Sequence, residues 1–131
     1  MAKKYLKSFA AGFLATLIFH QGMVAFLHLL GVLPFAAYNL SPTQPLGVPA
    51  VISLAFFGGI WGILLLPLLQ NKATFWIRAI VLGAVLPSFV AIAIVFPLKG
   101  IPFQAIIIPI ALLLNACWGF GLGLFLKLSR A

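Results

Sequence analysis

Aspartate and glutamate are absent from this 131-residue sequence. That absence removes carboxylate general bases, paired-carboxylate hydrolysis and the oxygen cages that hold Ca²⁺ or Mg²⁺. It also removes any proton relay built on a buried acid. Charge of any kind is scarce. It amounts to 6% of residues, all Lys or Arg, against roughly a quarter in soluble domains. The one cysteine, Cys117, excludes an internal disulfide and reads as a small buried hydrophobe. With it, the two histidines are too few for a zinc site.

What is present is apolar. Hydrophobic residues make up 65% of the chain. A water-soluble fold of this size has too much surface to hide them, whereas lipid tails solvate such side chains directly. Four apolar stretches each approach the ~20 residues that a spanning helix needs. They cover about residues 9–33, 49–69, 75–96 and 103–126. The expectation is all-α: one transmembrane domain over 1–131, with four helices in a compact up-down bundle. The first stretch is too long for the ~7–15-residue core of a cleavable signal and contains two His and a Gln, so it reads as a retained helix.

The net charge of +8 sits in the gaps between these stretches. That placement points to topology and anionic lipid headgroups, and away from nucleic acid. Lys3, Lys4, Lys7, Lys72, Arg78, Lys127 and Arg130 fall on one side of a four-span arrangement, and only Lys99 falls on the other. By the positive-inside rule both termini are expected in the cytoplasm of a bacterial inner membrane. The uncharged link 34–48, with Pro34, Pro42 and Pro45, is expected to lie along the opposite membrane surface. Gly47-Val48-Pro49 followed by Trp61-Gly62 is echoed by Gly100-Ile101-Pro102 followed by Trp118-Gly119, which reads as a weak repeat of one hairpin.

Small residues mark expected helix contacts, because bare backbone lets helices approach. Gly58 and Gly62 lie in the second span, Gly83 in the third, and Gly119 and Gly123 in the fourth. Pro87 and Pro109 fall inside expected helices and predict kinks. His20, Gln21 and His28 share one sector of the first helix, and Gln104, Asn115 and Gly119 share a face of the fourth. Exposing these groups to lipid is costly, so the two faces are expected to meet in a polar seam. Within it the histidines can serve as interhelical hydrogen-bonding groups, as proton carriers, or as ligands. His20 or His28 could each bind haem iron or a chlorophyll magnesium, but a bis-His site needs a second chain, because the two cannot clamp one haem from both faces.

The segments Phe19-His20-Gln21-Gly22-Met23 through His28, and Leu46-Gly47-Val48-Pro49 through Gly58-Gly59-Ile60-Trp61-Gly62, resemble a family of small uncharacterised four-helix bacterial inner-membrane proteins. The resemblance covers the first half of the chain and carries over no activity, cofactor or functional residue. The membrane-embedded Glu of small multidrug exporters is missing, and fluoride-channel pore motifs are not visible. The function expected first is therefore a non-catalytic membrane subunit or assembly factor, not an enzyme, whose partners are lipids, other membrane subunits or further copies of itself. Second comes a small oligomeric transporter or channel for a neutral or anionic solute, lined by His20, Gln21, Gln104 and Asn115. Third comes a haem- or pigment-binding subunit.

Overall fold

The computed structural model describes residues 2–130. Four helices in it are long and apolar enough to cross a bilayer: α1 (Ala2–Leu29), α2 (Ala50–Leu69), α3 (Phe75–Leu98) and α4 (Ile107–Ser129). Among the described residues the only β feature is one isolated bridge between Pro42 and Pro49. The chain is an integral membrane protein with an all-helical, up-down architecture.

Local chemistry moves three helix boundaries from where hydropathy puts them. α1 spans 2–29 instead of 9–33. Its basic start consists of good helix formers and carries the helix back to Ala2. Its other end is set by Gly31, which takes φ 78° and closes a Schellman turn. Gly31 N–H bonds to His28 O at 3.0 Å, and Val32 N–H to Leu27 O at 2.9 Å. α4 begins at Ile107 instead of residue 103, after Gly100 at φ 73° and Pro102. Pro109 therefore sits in the first turn, where its missing N–H breaks no internal bond, and it is not a mid-helix kink. Pro87 does lie inside α3, and four residues later that helix widens into a π turn, Ala91–Val95. Pro67 tightens the last turn of α2 into a 3₁₀ turn.

The helices stand in the order α2–α1–α4–α3, and α2 meets α3 weakly. Within each hairpin the contact is built on bare backbone. A Cβ on Gly12 would overlap Gly58 O, and one on Gly62 would overlap Ser8 O. Across α3 and α4, a Cβ on Gly119 would overlap Ala79 O, and one on Gly83 would stand 2.8 Å from Gly119 Cα. A Cβ on Gly123 would press on the Trp76 ring at 2.8 Å. The two hairpins thus repeat one packing device, with Ser8 against Gly62 and Ala79 against Gly119. The central α1–α4 contact is aromatic. Trp118 Nε1–H donates to Gly12 O at 3.1 Å. Phe19 lies edge-on to Phe120 and Phe125, with ring centroids 5.6 and 5.8 Å away.

The ends of the bundle are unequal. At the basic end Lys4 Nζ donates to Gln70 Oε1 at 3.3 Å, which ties the start of α1 to the end of α2. At the loop end, the first turn of α2 is capped by the 34–48 link. Ala50 N–H bonds to Ser41 O and Val51 N–H to Asn39 O, both at 2.9 Å. The neighbouring Tyr38 N–H donates to Gln21 Oε1 at 2.8 Å. This chain of bonds puts the start of α2 level with Gln21, and α1 continues two turns beyond it.

Candidate functional site

The most organised polar group in the molecule surrounds Gln21, and a local helix irregularity creates it. Residues Thr16–His20 form a π turn. The Gln21 N–H therefore reaches back to Thr16 O, and its usual acceptor, Leu17 O, is freed from that role. Tyr38 fills the vacancy, its hydroxyl donating to Leu17 O at 2.7 Å. Tyr38 itself has φ 59°, a left-handed conformation that L residues seldom adopt. The link backbone thus lies beside Gln21 and its Tyr38 side chain reaches down to Leu17, at a depth where irregular backbone is tolerable only if its polar groups are paired by protein.

Gln21 is buried and determines the state of its neighbour. The backbone N–H of Tyr38 can only donate, so the group it meets must be Gln21 Oε1. Gln21 Nε2 therefore faces His20 Nδ1, at 3.2 Å, and donates to it. His20 Nδ1 is then unprotonated, and the neutral ring carries its hydrogen on Nε2. In this tautomer the ring's other edge is a donor, which does not suit it to ligate a metal.

His28 has the opposite arrangement. Its Nδ1 lies 2.9 Å from Leu33 O, a pure acceptor, so Nδ1 carries hydrogen. Nε2 of the neutral ring then keeps its lone pair, on an exposed side chain. A ring oriented through Nδ1–H to a carbonyl, with Nε2 free, is the usual posture of a ligating histidine. Nothing joins the two rings, and among the described residues no group of three His or Cys side chains assembles.

The expected seam between α1 and α4 does not form. Helix-wheel positions give azimuth but not partners, and other elements take the polar groups first. Gln21 and His20 are engaged by each other and by the link. Asn115 turns to α3, its Nδ2 donating to buried Ser88 Oγ at 2.9 Å. Gln104 lies exposed in the link before α4. The plane between α1 and α4 is filled by Trp118, Phe19 and glycine backbone. The four groups expected to line one solute path are not brought together within the chain. Tyr38 and Ser88, the partners that complete these networks, were not singled out as sites. A tyrosine in an uncharged, proline-rich link was the only available signal for the first.

The remaining concavities are apolar. A cleft of about 210 Å³ opens between Ile92 and Phe96 of α3 and the Ile101–Phe103 stretch of the following link. A shallower groove is floored by Phe9, Ala10, Phe13 and Leu14 on α1. Cys117 is a partly buried free thiol on α4. No family model matches the chain, and no curated protein or solved structure is significantly similar to it.

Proposed function

We propose that this chain is a non-catalytic small subunit or assembly factor of a larger membrane protein complex, held in a bacterial inner membrane with both ends in the cytoplasm. The observation that supports it best is the uneven cover of the helices. In their most apolar windows 39% of α1 and α4 is buried, but only 22% of α3. α3 presents Ile77, Val81, Val85 and Phe89 at spacing four on an exposed face. Lipid satisfies such a face, and so does a helix of another protein. A photo-crosslinking amino acid at Val85, used in native membranes, is expected to trap one discrete membrane protein. Lipid adducts alone at Ile77, Val85 and Phe89 would sink the reading, and adducts only to the chain itself would replace it with a homo-oligomer.

The geometry of His28 favours a second reading, a haem- or pigment-binding subunit. Here His28 Nε2 is the single axial ligand, and His20 has no part in ligation. The natively purified protein should then absorb in the visible range and lose that absorption in His28→Ala but not in His20→Ala. A colourless native preparation excludes it.

A further inference from the structure

Two cations stand over one ring where α4 ends, and a third, Lys7, is bonded to the same helix end. Lys127 Nζ stands 4.5 Å from the centre of the Phe75 ring, and the Arg130 guanidinium carbon 5.3 Å from the same centre. The two charges are therefore within about 10 Å of one another, no more than a Debye length in ~0.1 M salt. Lys7 Nζ comes from α1 and donates to Ser129 O at 3.1 Å, between them in sequence. The chain has no acidic side chain with which to balance them. The negative end of the α4 dipole offsets only about half an elementary charge.

Along α4 from these cations, toward the middle of the bundle, lies an aromatic shelf. Trp76 stacks on Phe120 with centroids 5.5 Å apart, and the two residues are 39% and 42% exposed. Trp76 also packs on Gly123, one turn along α4 from Lys127. Beside the cations α3 begins without a side-chain cap, and the Thr74 hydroxyl there is enclosed with no partner. Paired cations over an amphipathic aromatic ledge match an anionic headgroup above acyl chain.

We propose that Lys127, Arg130 and Lys7 seat the phosphate of one anionic phospholipid, whose acyl chains lie against Trp76 and Phe120. The site joins α1, α3 and α4, so an occupied site fastens the two hairpins together at the basic end. A free phosphate offers the same oxygens but no chain for the shelf, and the lipid is the occupant that uses both halves.

The test is native mass spectrometry of the full chain released from a neutral detergent, with phosphatidylglycerol or phosphatidylcholine titrated in. One phosphatidylglycerol should remain bound per chain in preference to phosphatidylcholine, and millimolar inorganic phosphate should not displace it. The double variant Lys127→Gln/Arg130→Gln should bind about thirtyfold more weakly. Lys99→Gln, at the other end of the bundle, should bind as the parent does, and Lys127→Arg should retain the lipid. Circular dichroism of each variant separates lost binding from lost folding. Equal retention of the two lipids, displacement by phosphate, or undiminished binding by a folded double variant overturns the proposal.

Discussion

Gly12 shows how much a single residue can carry in a bundle without charge pairs. Its carbonyl accepts the Trp118 indole at 3.1 Å and the Thr16 hydroxyl at 3.0 Å. Its missing side chain admits the backbone of Gly58. Gly12→Ala would force α1 and α2 apart, because the obstructing atoms are backbone and have no rotamer to escape into. A loss of about 1–3 kcal/mol is expected. Gly22 is a control on the same helix, since a Cβ there meets nothing within 4 Å. Gly22→Ala should be neutral, or stabilising by up to ~1 kcal/mol through helix propensity. Reversible unfolding in mixed micelles measures both, and equal damage from the two substitutions would refute the packing account. Close backbone approach was legible in the sequence, because spacing-four runs of small residues have few other uses in lipid. The partners of the polar residues were not. Gln21 and Asn115 lie at readable angles on their helices, yet Tyr38 and Ser88 reach them from elements whose position the wheel does not contain.

Among the elements, α1 and the 34–48 link behave as one unit. The π turn at Thr16–His20 frees Leu17 O, Tyr38 occupies it, and Gln21 holds the Tyr38 backbone. Tyr38→Phe removes the hydroxyl bond alone and is expected to cost about 1 kcal/mol. Amide exchange should quicken in the 34–48 link while α4 stays protected. If exchange there does not change, the tyrosine is not what fastens the link. The existence and number of helices were readable from four apolar runs. Their ends were less so, because hydropathy does not register a Schellman glycine or a proline that falls in a first turn. Thus α1 shifts toward the chain start and α4 begins later, which carries Gln104 out of its helix.

At the scale of the whole molecule, the order α2–α1–α4–α3 leaves two peripheral helices and a basic end. The seven cations grouped there are the basis for orientation. In a Cys117→Ala background, Lys99→Cys and Leu46→Cys should react with an impermeant maleimide applied to intact cells. Ala73→Cys should react only after the membrane is opened. The reverse pattern would invert the topology. Charge distribution was readable because cations between apolar runs have no core to enter. The clustering of Lys7, Lys127 and Arg130 around one ring and one carbonyl was not, since it depends on α1, α3 and α4 ending at a common depth.

α1 and α2 are unequal neighbours. At 1.5 Å per residue, the 28 residues of α1 extend about 42 Å and the 20 of α2 about 30 Å. A bilayer core near 30 Å matches the length of α2, and α1 is longer by about 12 Å. Gln21 stands level with the end of the shorter helix, and His28 lies near the end of the longer one. In a thick membrane the last turns of α1 lie in hydrocarbon, and the free nitrogen of His28 faces lipid. In a thin one the same turns emerge, and that nitrogen faces water. Bilayer thickness, through hydrophobic mismatch, would thus act on the surroundings of His28 before those of Gln21.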